Sequence, residues 1–110
     1  MTVKSRPIIL SKYASSSDST EYTAAGVNTI IDKFTAYNSD VLAIVVTVNL
    51  VANAGSAAAT NIIVVKSVAA GVTETFPEIV GHTLEPGGMI SVKAATASKV
   101  VIRATGREVS

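Results

Sequence analysis

From Val41 to Val51 the chain reads Val-Leu-Ala-Ile-Val-Val-Thr-Val-Asn-Leu-Val. A period of two places Leu42, Ile44, Val46, Val48 and Leu50 on one face and Ala43, Val45, Thr47, Asn49 and Val51 on the other. β-Branched side chains dominate; they stiffen an extended backbone and suit a pleated surface. Burying such side chains contributes roughly 1.5–3 kcal/mol each. Ordering the backbone costs roughly 1–2 kcal/mol per residue. A strand of this kind therefore needs neighbours and a second sheet to cover its apolar face.

The same pattern recurs along the body. Asn28–Tyr37 carries Ile30, Phe34 and Ala36 on one face. Asn61–Val68 brings together Ile62, Val64 and Val68. Met89–Ala95 aligns Ile90, Val92 and Ala94. Val100–Arg107 aligns Val100, Ile102 and Ala104, with Arg103 and Arg107 opposite. Glu21–Ala24 and Val72–Phe76 are shorter candidates. Turn residues separate these runs at Asn38-Ser39-Asp40, Asn53-Ala54-Gly55-Ser56, Ala70-Gly71 and Glu85-Pro86-Gly87-Gly88. Pro86-Gly87 supplies the second and third positions of a type II turn. Ala54–Thr60 has helical propensity, but its place between two strong strands favours a hairpin loop. Short strands at this spacing indicate an all-β chain folded as a sandwich or barrel, and a single antiparallel β-sandwich is the expected fold class.

The first 20 residues break the pattern. Lys4, Arg6 and Lys12 come with no acid before Asp18, and Ser15–Thr20 offers little to bury. Arg6-Pro7 biases the backbone toward extended structure. Two parts are expected: an extended N-terminal arm over residues 1–20 that does not pack as a compact unit, and a sandwich over residues 21–110.

Composition adds a second theme. Hydrophobic residues make up 48% of the 110 positions and charged residues 15%, against roughly 25% charged in an ordinary domain. Many small alanines in a filled core account for part of this. Surface covered by other chains accounts for it better. The net charge of +1 gives no electrostatic basis for nucleic-acid binding. The longest apolar run is far shorter than the roughly 20 residues of a membrane-spanning helix, and Ile8-Ile9-Leu10 is too short for a secretory signal. With no cysteine there is no disulfide, thiolate nucleophile or Cys-based metal site.

Catalytic chemistry finds little support. His82 is the single histidine, and Glu78 and Glu85 are near it only in sequence. The eight carboxylates are scattered, without a calcium-loop, zinc or phosphate-loop signature. With three tyrosines and no tryptophan, the aromatic platforms that suit a glycan are sparse. The expectation is a non-enzyme with no catalytic, cofactor or metal residues. Asp32 is the unusual position, because alternation puts it on the face of Ile30 and Phe34. Either a strand end or bulge keeps it in water, or it forms a salt bridge across a subunit interface. A buried carboxylate needs a partner, and Arg103 or Arg107 would serve.

Four segments carry a resemblance: Tyr22-Thr23-Ala24-Ala25-Gly26 with Thr29–Phe34, Thr47–Val51, Leu84–Ser91 and Val101–Val109. Over residues 21–110 the chain resembles small β-sandwich virion proteins of tailed bacteriophages, including capsid decoration (cement) proteins and small tail or neck proteins. The resemblance implies a jelly-roll-like sandwich, assembly as a symmetric oligomer, and binding to major capsid subunits that locks the shell. A tail, neck or baseplate ring component is the alternative, and a host-surface or glycan-binding module is the alternative of a different class. The expected partners are further copies of the chain and other virion proteins, with no nucleic acid and no membrane. An arm that adds a strand to a neighbouring sheet edge would contribute Val3, Lys4, Arg6, Pro7, Ile8, Ile9, Leu10 and Tyr13. Asp32, Arg103 and Arg107 are the candidate contacts on the body.

Overall fold

The structure, a computed structural model, describes residues Met1–Ser110. Nine strands form: β1 (Val3–Tyr13), β2 (Ser19–Thr23), β3 (Asn28–Asn38), β4 (Ile44–Val51), β5 (Ile62–Val68), β6 (Thr73–Thr75), β7 (Thr83–Leu84), β8 (Met89–Ala94) and β9 (Val100–Val109). Single 3-10 turns lie at Ala59–Asn61 and Pro77–Ile79. One sheet, called A, runs β1-β9-β3-β6, with β7 also paired to β3. The other, sheet B, runs β2-β8-β4-β5. Every pairing is antiparallel. The chain crosses repeatedly from one sheet to the other, and this connectivity is that of a jelly roll.

The inner faces of the two sheets meet in one core of 21 buried apolar residues. The alternation read from β4 holds where it matters: Ile44, Val46 and Val48 are buried. Leu50 is half-buried against the core, while Leu42 precedes the strand and is exposed. Ile90, Val92 and Ala94 on β8, and Val100, Ile102 and Ala104 on β9, are all inside. Phe34 and Phe76 meet edge-on, with ring centroids 4.9 Å apart, an arrangement their quadrupoles favour. Gly87 has φ of +87°, and the Gly88 N–H donates to Glu85 O at 2.8 Å, as the Pro86-Gly87 turn requires.

Three expectations are corrected. On β3 the inward residues are Ile31, Phe34 and Ala36, not Ile30. A bulge between Ile31 and Lys33 inserts one residue and shifts the alternation. On β5 a register shift opposite Val48/Asn49 leaves Ile62 exposed while Val64 and Val68 stay inside. The largest correction concerns residues 1–20. The fold has no break at residue 20, because β1 pairs along β9 from Val3↔Val109 to Tyr13↔Val101. Ile8, Ile9 and Ala14 are part of the core. Bulges between Pro7 and Ile9 and between Ile9 and Lys12 hide this strand from a period-two reading.

Gly106 explains how β1 seats. A Cβ there would lie 2.7 Å from Ile30 O and 3.1 Å from the Ile8 side chain. The Ile30 carbonyl of β3 excludes a side chain at this point, and the space so left is where Ile8 packs over β9.

Candidate interaction surface

Both sides of the sandwich are closed by side chains that reach between the sheets. On the β1/β2 side, Lys12 Nζ donates to Glu21 Oε1 at 2.6 Å. The Glu21 side chain is only 2% exposed while Lys12 is half-exposed, so the carboxylate sits inside the seam and the cation meets it from the surface. Further along, Arg6 donates to Glu108 at 3.2 Å. Tyr22 Oη donates to the other Glu108 oxygen and lies 2.7 Å from Thr29 Oγ1. Burial, and then the hydrogen bond to Glu108, push the Tyr22 phenol above its ordinary value. On the β5/β6 side, Lys66 Nζ donates to Glu78 and to Thr75 O, each at 3.0 Å, and stands 4.9 Å from the Phe76 ring centroid. The Glu78 carboxyl is held below its ordinary value by its own backbone N–H and by Lys66.

The candidate contacts divide. Ile8 and Ile9 belong to the chain's own core, so they offer nothing to a partner. Val3, Lys4, Arg6, Pro7, Leu10 and Tyr13 are exposed on β1. Asp32 and Arg107 pair with each other. Arg107 Nε donates to the two carboxylate oxygens at 3.0 and 3.1 Å, and its Nη2 donates to Oδ1 at 2.8 Å. The carboxylate makes this guanidinium harder to deprotonate, first by hydrogen bonding and then by charge. The bulge at Asp32 turns that carboxylate out of the core toward Arg107, so Asp32 needs no partner from another chain. Arg103 instead donates to Ser11 Oγ at 3.2 Å.

The outer faces of the sheets differ. On sheet A the β3 and β9 residues facing outward are mostly charged or hydroxylated. A shallow depression of about 230 Å³ lies between these strands, lined by Lys33, Thr35, Arg103, Ala104 and Thr105. A second of similar size is lined by residues 50–53, 83–85 and 88. His82 lines neither depression, and neither holds two carboxylates. No group of three or more His, Asp or Glu residues is placed to hold a metal ion. No helix is long and apolar enough to cross a membrane.

On sheet B, the Ala-rich connection from β4 to β5 folds back over half of the outer face. Asn49 Nδ2 donates to Ala58 O at 3.0 Å and to Asn61 Oδ1 at 2.6 Å, and Asn61 Nδ2 donates to Ser56 O at 2.9 Å. Asn49, Val51 and Ser91 are thereby buried although they point outward. The other half is bare. Val65 is 57% exposed, Val45 42%, Ile62 41% and Ile63 37%, and Val41 and Leu42 are exposed just before β4. The sequence carried a signal for this patch: Ile62-Ile63-Val64-Val65 is apolar on both strand faces, and only one face can enter the core.

No protein family matches the sequence, and no curated protein does. The chain is similar in fold to a protein of Bacillus endospore appendages, described as a novel family of disulfide-linked pili. The TM-score is 0.60 at 9% identity, over 99% of this chain and 88% of that one. A match to infectious bursal disease virus, Gx strain, has a TM-score of 0.31 at 12% identity and covers 98% of this chain and 42% of that one. At 9% identity the first likeness is one of fold alone. The chain has no cysteine, so the disulfide linkage of those pili is chemistry it cannot make.

Proposed function

We propose that this protein is a non-enzymatic structural subunit that assembles, without covalent links, with copies of itself and with other proteins of a particle or filament. The observation that carries this reading is the bare apolar half of sheet B. Val45, Ile62, Ile63 and Val65 are large apolar side chains exposed on neighbouring strands β4 and β5, in a chain that closes its sandwich with ion pairs. Exposed apolar surface of this kind marks a protein contact. The shallow, chemically sparse depressions and the isolated His82 fit the same reading.

Within that class, a capsid decoration protein is the first finer reading, supported by the virion-protein resemblance of residues 21–110 and by the jelly-roll connectivity. In this role the subunit bridges capsid proteins on the shell surface. A filament or appendage subunit is the second reading, favoured by the fold shared with the endospore-appendage protein. In either case assembly rests on surface burial and strand pairing, because disulfides are not available.

Copy number in purified particles from cells that express the chain tests this proposal. Hundreds of copies on a shell support decoration. Six or twelve on a tail axis move the assignment to a ring component. A continuous fibre that survives reducing agent supports the filament reading. Recovery only as free protein, with none in any particle or fibre, overturns the proposal.

A further inference from the structure

The sandwich has four edges, and three are protected against strand addition. β1 carries Pro7, the charges Lys4, Arg6 and Lys12, and two bulges. β2 is broken by a bulge between Thr20 and Tyr22. β6 is three residues long. These are the devices that normally blunt a sheet edge. β5 has one irregularity near its start, between Ile62 and Val64, and none of these devices from Val64 to Val68. Its single charge, Lys66, is turned across the seam to Glu78 and Thr75.

The free backbone groups of β5 can be assigned from the ladder. Ala95 N–H donates to Val45 O at 2.9 Å, so Val45 faces β8. Backbone direction alternates along a strand, so Val46 faces β5. Its partner Lys66 faces back toward β4. Val65 and Ser67 on either side therefore point their N–H and C=O groups away from the sheet. The side chain of Val65 lies on the bare outer face, diagonal to Val45.

We infer that β5 is the interface for a second copy of this chain, which adds its own β5 antiparallel about a twofold axis at Val65 and joins two copies of sheet B into one eight-stranded sheet. The inference names one contact of the assembly proposed above and rests on that reading. Charge selects the occupant. With Val65 opposite Val65, each Lys66 lies opposite Val64 and not opposite the other Lys66, and Ser67 reaches the irregularity at Ile63 where the regular pairing ends. No like charges are opposed, and Val45 and Val65 of each copy line one outer face. The chain's other edges do not fit this site. β1 would bring Pro7, which cannot donate to a ladder, and three cations that gain no acid on β5. An isologous contact of this sort closes on itself.

Sedimentation velocity across about 0.01–1 mM tests the inference, with thermal unfolding as the control for folding. The wild-type chain sediments at the mass of two chains at the upper end. Val65→Lys places two cations on the twofold axis and raises the dissociation constant at least tenfold with little change in melting temperature. Ser67→Pro removes an edge-facing N–H without touching the β4 ladder and does the same, so the test stands if either variant folds poorly. A wild-type chain that stays at the mass of one chain throughout, or folded variants that dimerise as well as wild type, overturn the inference. Particle copy number is read separately, so failure of this contact and failure of the structural role are distinguishable.

Discussion

The two sides of this sandwich solve the same problem differently. Where β1 and β2 come together, the seam is filled by partners from the chain itself: Lys12 with Glu21, and Arg6 and Tyr22 with Glu108. The β1 edge beyond that seam is blunted by proline and charge. Where β5 and β6 come together, Lys66 closes the seam with Glu78. It spends the strand's only charge inward and leaves the β5 edge and its outer face apolar. The first side is finished within one chain. The second closes its seam but leaves the β5 edge bare, which is why the proposed contact is placed there. Charge directed into the seam stabilises the monomer but does nothing to keep a second strand away.

The comparison breaks most visibly if β1 is removed. Deleting residues 1–13 takes Ile8 and Ile9 from the core, removes the pairing partner of β9 and leaves Glu21 without Lys12. The expected outcome is a chain that no longer folds cooperatively, seen as loss of a thermal transition in circular dichroism. A detachable arm would instead leave the transition in place. Ile9→Ala isolates the packing part of this effect and is expected to cost about 2–5 kcal/mol in denaturant unfolding.

Lys12→Ala tests the seam more finely. It leaves the Glu21 carboxylate enclosed without its cation, which is expected to cost about 1–3 kcal/mol, the range for a buried acceptor that loses its partner. Lys99→Ala serves as the reference. Lys99 lies in the β8–β9 turn and is exposed, and its removal is expected to stay within about 0.5 kcal/mol. Equal effects from the two substitutions would mean that the Lys12–Glu21 pair contributes no more than an ordinary surface charge.

How far the sequence discloses this architecture follows from where the chain keeps strict alternation. β4, β8 and β9 keep it across their central residues, and their inward faces are legible. The fold class follows from them and from the Pro86-Gly87 turn. β3 loses its phase at Asp32 because the bulge inserts one residue; a bulge and an arginine partner are legible from the sequence, and the fold selects Arg107 over Arg103 within the same chain. β1 is the hardest case. Two bulges, a proline and three cations make it look like solvated chain. What holds it is remote in sequence: the β9 ladder and the space above Gly106. The β5 patch is half legible. The run Ile62–Val65 signals an apolar edge, but that β5 is outermost in sheet B is set by topology. Composition points to covered surface without saying where; the exposed apolar side chains Val45, Ile62, Ile63 and Val65 become visible only once β4 and β5 are placed in sheet B.

The smallest effect tests the polar end of the closed seam, where Tyr22 joins Glu108 and Thr29. The Tyr22 phenol is held neutral by burial and by its hydrogen bond to Glu108, so its folded pKa lies above its ordinary value of 10.0. A group raised in this way contributes stability that is fully present below the unfolded pKa and is lost as pH rises through the folded one. The native protein is therefore expected to lose stability as pH climbs past about 10, where the unfolded phenol releases its proton and the folded one resists. Tyr22→Phe removes the hydroxyl and its bonds to Glu108 and Thr29, lowering stability at neutral pH by about 1–1.5 kcal/mol. It also removes this residue's share of the alkaline decline, so the curves of native and variant protein should converge above pH 10. Curves that stay parallel through that range would mean that Tyr22 titrates alike folded and unfolded, and that the seam at Glu108 is open to water. The side contrasted here with β5 as closed would then be open at one end.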